Sequence, residues 1–272
     1  MKKFLLRLYI VTWIFILLLS LGGCGAAEEG ASKKDLNLDG YELVFFDDFS
    51  GDSLNQDIWE YRKNGPRRGG MNHPDQVRVE NGNLIFTAEY TENTDGEAWY
   101  AGMIRTKESY TYGYYEIRCI PNDSECFWSA FWLKHDDCYD HDLSQGGRFG
   151  AEIDIFETYK NHKLTTKNYV TSCIHCNGVD EDTDAVDSYR VAKTYVPNLR
   201  KQYTTFGLLW TEDEYVFYIN GKEAGRSSFG NGTSQVPEYV IVSLEIPQEI
   251  TLSQDTKTEY IVDYVKIYQL VE

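Results

Sequence analysis

Three carboxylates stand within six residues, Glu152, Asp154 and Glu157, separated by Ile153, Ile155 and Phe156. Large apolar residues spaced this way mark a strand with one face in a core. The acids are then left on the opposite face, where like charges repel and folding gains nothing. Chemistry does gain: two carboxylates with pKa values pushed apart are the equipment for cleaving a glycosidic bond. Side chains alternate along a strand, so Glu152 and Asp154 share a face. Glu157 follows Glu152 by five residues and would point away in a regular strand. One extra residue at Ile155-Phe156, a β-bulge, returns it to the others. Strand rise still leaves the glutamates about 13 Å apart along the backbone. A concave sheet and inward-leaning side chains must bring their carboxyl groups to the roughly 5–5.5 Å of a retaining enzyme.

The elements that position these acids read as strands. Short apolar or alternating runs at 42–46, 84–89, 112–120, 127–133, 151–156, 167–174, 203–210, 214–219, 239–244 and 260–268 are punctuated by turn signals. Asn81-Gly82 and Asn220-Gly221 are two-residue hairpin turns. No long helical periodicity follows residue 24, so the expected class is all-β, a sandwich or a barrel. Trp128 and Trp132 lie at an even offset and share a face of their strand, either in the core or in a cleft. The polar, irregular stretches 136–148 and 177–200 read as long loops at a cleft rim. With no internal repeat and no linker after residue 40, one domain is expected over 41–272.

The 272 residues carry a formal charge of −17. Lys2, Lys3 and Arg7 are the basic residues of the first 23, so the remainder holds 23 basic against 43 acidic side chains. Such a field repels nucleic acid and anionic membrane surfaces and suits a soluble body acting on a neutral polymer. The first 23 residues read as an export signal: a basic start, then an apolar run at 8–21, too short for a comfortable membrane span. Leu21-Gly22-Gly23-Cys24 resembles a bacterial lipobox, which makes Cys24 the lipidation site. Residues 24–40 read as a flexible tether. An exported monomer follows, held at the membrane through a lipid anchor only. Five cysteines remain, an odd number. Cys173 and Cys176 have zinc-like spacing, but no second pair completes a site, and an offset of three on a strand points them to opposite faces. Free thiols are expected, with a Cys119–Cys126 disulfide left open.

Several segments, taken together, resemble glycoside hydrolase family 16. AEIDIFE resembles the family's bulged E-x-D-x-x-E signature, and LVFFDDFSGDSLNQDIWEY its first strand and turn. NHPDQVRVENGNLIF, TYGYYEIRCIP with FWSAFWL, TTFGLLWTEDEYVFYINGKEAG and YIVDYVKIYQ resemble further family segments, in order, from residue 43 to 269. The resemblance implies a β-jelly-roll sandwich of two antiparallel sheets with a concave substrate cleft. It implies Glu152 as nucleophile, Glu157 as general acid and base, and Asp154 between them. It also implies substrate contacts from Asn72, Trp128, Trp132 and His175, with Arg105 in place of the arginine many laminarinases carry at Met103. VSLEIPQ stands where the family has a glycine-rich stretch and puts Glu245 in a cleft-lining region. No cofactor is required; Asp263 matches the aspartate that holds a structural calcium in some members.

The expected activity is therefore endo-acting, retaining hydrolysis of a β-1,3- or β-1,3-1,4-glucan. A galactan hydrolase or a transglycosylase is the alternative, and a non-catalytic surface glycan-binding lipoprotein is the reading from another class.

Overall fold

Both Asn-Gly pairs turn the chain as their composition requires. Asn81 and Gly82, and Asn220 and Gly221, all have φ between 50 and 72°, the left-handed conformation of the tight hairpin turn. The computed structural model describes residues 35–124, 126–136, 147–158, 168–176, 187–228, 232–250 and 252–271. The signal segment, Cys24 and Cys138 lie outside them.

Seventeen strands follow in chain order: β1 (Tyr41–Asp47), β2 (Trp59–Tyr61), β3 (Gly65–Arg67), β4 (Gly70–Asn72), β5 (Val77–Glu80), β6 (Asn83–Asn93), β7 (Gly96–Tyr110), β8 (Gly113–Ile120) and β9 (Trp128–Lys134). Then come β10 (Glu152–Glu157), β11 (Tyr169–Cys176), β12 (Asp187–Tyr195), β13 (Thr204–Trp210), β14 (Tyr215–Ile219), β15 (Lys222–Ser227), β16 (Glu238–Glu245) and β17 (Lys257–Leu270). A front sheet runs β2-β7-β16-β9-β10-β11-β12 and is antiparallel throughout. A back sheet runs β5-β6-β17-β8-β13-β14-β15, with β1 beside the C-terminal half of β17. The chain is the all-β jelly-roll sandwich its sequence implied.

β7 serves both sheets. Gly96 to Tyr100 pair with β6 at the back, and Gly102 to Tyr110 pair with β16 at the front. Its middle is buried on both faces. That removes the alternation by which a half-buried strand is recognised, and explains why so long a strand escapes a periodicity reading.

The core between the sheets is aromatic. Phe156 of the acid-bearing strand stacks on Phe206 with ring centroids 4.1 Å apart and meets Tyr260 edge-on. Each is fully buried, and each such side chain contributes about 1.5–3 kcal/mol by leaving water. Ile153, Ile155 and Phe156 thereby fix which side of β10 faces the core.

Two expectations need correction. The loop expected over 177–200 contains β12, because its 187–195 backbone completes the ladder of β11. The tether does not run to residue 40: Asp35 bridges to Lys222, Leu36 donates to the Gly221 carbonyl, and Leu36 and Leu38 pack on Tyr114, Val216 and Tyr218. Apolar contact holds this stretch to the back sheet.

Candidate active site

The expected bulge is present. Opposite β9, Asp154 pairs with Trp132 and Phe156 with Phe131, which leaves Ile155 as the extra residue. Opposite β11, Asp154 pairs with Cys173 and Glu157 with Thr171. A bulge leaves a carbonyl outside the ladder; here the buried Ser172 hydroxyl donates to the Ile155 carbonyl at 2.9 Å. Glu152, Asp154 and Glu157 consequently all line one cleft of about 860 Å³ on the front sheet.

β9 supplies the neighbouring row. Trp128, Ala130, Trp132 and Lys134 alternate onto the cleft face. Lys134 Nζ lies 3.3 Å from Glu152 Oε2. From β11, His175 meets Asp154 Oδ2 through Nε2 at 3.0 Å and Ser188 Oγ through Nδ1 at 2.6 Å. Burial opposes the imidazolium, but the hydrogen bond and charge of Asp154 outweigh it and raise His175 to about 11. His175 is therefore a cation that donates from both nitrogens.

Burial raises both glutamates, and Asp154 raises them further. Lys134 and His175 pull Glu152 back, whereas Glu157 goes well above the ordinary carboxylate range. Of the two, Glu157 is the one whose surroundings favour the protonated form more strongly.

The start of β10 is held from behind. Ala151 N–H donates to Glu238 Oε1 at 3.1 Å, and Ser234 Oγ donates to the same oxygen at 2.6 Å. Glu238 is fully buried, and that burial raises its carboxyl to about 8.

The other expected contacts divide. Arg105 lines the cleft but is engaged: Nε donates to Glu60 at 2.5 Å, Nη1 to Asp136 at 2.7 and 2.8 Å, and the guanidinium lies 4.3 Å from the Tyr239 ring. Glu245 also lines it, holding Arg67 at 2.8 Å and Arg68 at 2.7 Å. Trp128 and Trp132 both reach the cleft, but each ring carries a guanidinium, Arg68 at 4.5 Å and Arg62 at 5.3 Å. Asn72 does not line the cleft: β4 pairs in parallel with β7 at Tyr100 and Ala101, and Asn72 is buried there, 3% exposed, with Nδ2 unpaired. His175 is likewise absent from the cleft lining, because its ring is turned onto Asp154. Asp263 accepts from Arg118.

Sequence reading missed Tyr61, Arg62, Lys63 and Lys134. Lys134 was legible, since it continues the even spacing of Trp128 and Trp132. Arg62 is 9% exposed, donates to Met103 Sδ at 3.4 Å, and has no carboxylate partner among the described residues. Burial lowers its pKa. Six basic side chains, Arg62, Lys63, Arg67, Arg68, Arg105 and Lys134, face six acids across this cleft, in a chain whose overall charge is −17.

The chain matches the family model described as "Beta-porphyranase A-D, GH16 domain" over residues 44–270. It belongs to glycoside hydrolase family 16. Among curated relatives of this family 16 chain, the endo-1,3-1,4-beta-glycanase ExsH of Rhizobium meliloti (strain 1021) is 28% identical over 202 residues, 71% of this chain and 39% of that protein. A beta-glucanase of Rhodothermus marinus is 24% identical, over 94% of each chain. The chain thus spans about two fifths of the Rhizobium relative's length. A non-specific endo-beta-1,3(4)-glucanase, SCLam, superposes with a TM-score of 0.70 at 22% identity, covering 88% of this chain and 95% of its own. The laminarinase catalytic domain of Thermotoga maritima gives 0.66 at 19%, covering 85% and 99%. These likenesses establish the jelly roll.

Proposed function

We propose that this family 16 protein is a retaining endo-β-glycanase that cleaves internal bonds of a β-1,3- or β-1,3-1,4-glucan. The observation that carries the reading is the bulge at Ile155, which gathers Glu152, Asp154 and Glu157 on one cleft wall. Glu157 donates a proton to the leaving oxygen while Glu152 attacks the anomeric carbon and forms a glycosyl-enzyme. Glu157 then takes a proton from water, which releases the sugar with its configuration retained. Asp154, paired with His175, sits between the two and helps to keep their protonation states apart. The beta-glucanase of Rhodothermus marinus among the relatives supports a glucan, and the endo-1,3-1,4-beta-glycanase of Rhizobium meliloti supports endo cleavage of a β-linked glycan. An exported position, held by a lipid on Cys24, fits a polymer too large to enter a cell.

One observation favours a second substrate reading, an anionic galactan. Arg62 is a buried guanidinium without a carboxylate partner among the described residues, in a cleft rich in arginine, and the matching family model is that of beta-porphyranases A-D. A neutral glucan gives such a charge nothing to pair with.

The test is product analysis of the full chain on laminarin, mixed-linkage glucan, agarose, carrageenan and porphyran, with Glu157→Gln alongside. A fall of about 10²–10⁴ in rate is expected for the variant, with the β-anomer as the first product of the wild type. Activity on porphyran, suppressed by salt through screening, would select the second reading. Binding of a polymer without products from either protein would leave a glycan-binding lipoprotein.

A further inference from the structure

A set of ligand atoms unlike a glycosidase pair lies beside the two glutamates. A carboxylate oxygen of Asp154, a ring nitrogen of His175 and Sγ of Cys173 are all within 4.8 Å of one another. The register explains the meeting. β11 alternates strictly between half-buried and buried positions, so Cys173 and His175, two residues apart, face the same side. Cys173 is the ladder partner of Asp154, and His175 that of Glu152. Cys176 points the opposite way into the core, and Cys173 is a free, half-buried thiol.

One thiolate, one imidazole and one carboxylate are three ligands of the kinds that zinc takes, and Asp154 is the one of them that lines the cleft. The spacing suits zinc. Ligand atoms about 2.0 Å from a tetrahedral zinc lie about 3.3 Å from each other, and His175 Nε2 is already 3.0 Å from Asp154 Oδ2. The sulfur ligand selects against calcium and magnesium, which prefer oxygen.

We propose that Asp154, Cys173 and His175 bind one thiophilic divalent cation, Zn²⁺ in the first instance, and that the bound ion switches off the neighbouring glycosidase pair. The switch rests on the function proposed above; the metal site does not. On binding, the Cys173 thiol and the His175 ring each release a proton to solvent, and two metal bonds replace the Asp154–His175 hydrogen bond. The ion thereby withdraws Asp154 from between the two glutamates, where the mechanism proposed above needs it.

The experiment uses the full chain and Co²⁺ as a spectroscopic probe, followed by Zn²⁺ competition against a chromophoric chelator and hydrolysis assays with and without Zn²⁺. Wild type and Glu157→Gln should both show a thiolate-to-cobalt charge-transfer band in the near ultraviolet. Cys173→Ala should lack it, bind Zn²⁺ at least about tenfold more weakly, and show a hydrolysis rate that no longer depends on Zn²⁺. Cys126→Ala should behave as wild type. A wild type without the band, or Cys173→Ala that binds Zn²⁺ as tightly, overturns the site. Stoichiometric Zn²⁺ that leaves hydrolysis undiminished overturns the switch. A band lost only in Cys173→Ala, in a protein that cleaves no polymer, supports the metal site and overturns the glycosidase reading.

Discussion

Glu238 offers a sharp test of the electrostatics behind β10. Its carboxyl is fully buried between Ala151 N–H and the Ser234 hydroxyl and rises from 4.5 to about 8. The folded protein therefore keeps a proton here that the unfolded chain gives up near 4.5. Stability from this group is complete below pH 4.5 and is lost as pH rises toward 8. At about 1.4 kcal/mol for each tenfold change in proton affinity, the full loss is on the order of 5 kcal/mol. Glu238→Gln keeps the acceptor for Ala151 and resembles the protonated acid, but it cannot ionise. Urea unfolding of both proteins at pH 5, 7 and 9 isolates the group, because all others are shared. The variant should gain on the wild type by several kcal/mol between pH 5 and 9. A difference that stays constant within about 0.5 kcal/mol across that range would refute the assignment of a buried, neutral Glu238.

Other perturbations probe the same strand. His175→Ala removes a cation that lowers both Glu152 and Glu157, so both limbs of the kcat/KM profile should move to higher pH; a stationary profile or the opposite shift counts against the pairing with Asp154. Ser172→Ala strips the bulge carbonyl of its donor and should cost about 1–3 kcal/mol, read as a lower urea midpoint. Phe156→Ala opens a void against Phe206 and Tyr260 and should cost about 3–5 kcal/mol, measured by the same unfolding assay.

The acids, their shared face and the bulge were legible because strand parity is an integer rule: an odd offset of five between two co-facing side chains demands one extra residue. The hairpins at Asn81-Gly82 and Asn220-Gly221 were legible for a similarly local reason, the left-handed backbone. Arg62 was not, since its role depends on contacts with Trp132 and Met103, far along the chain. Asn72 and His175 sat in the right segments, but the direction in which a side chain is finally held is a tertiary outcome. Burial took Asn72 from the cleft, and an ion pair took His175.

The strands of the front sheet carry two separate apolar assemblies. Ile153, Ile155 and Phe156 belong to the large core between the sheets, whereas Met103, Ala130, Trp132 and Ile241, joined by Trp128, form a small cluster on the cleft side. The sheet backbone stands between them. Substitutions in the small cluster therefore reshape the floor beneath a sugar with little coupling to the packing that keeps the chain folded. Directed libraries confined to these five residues would sample new specificities at low risk of losing the scaffold.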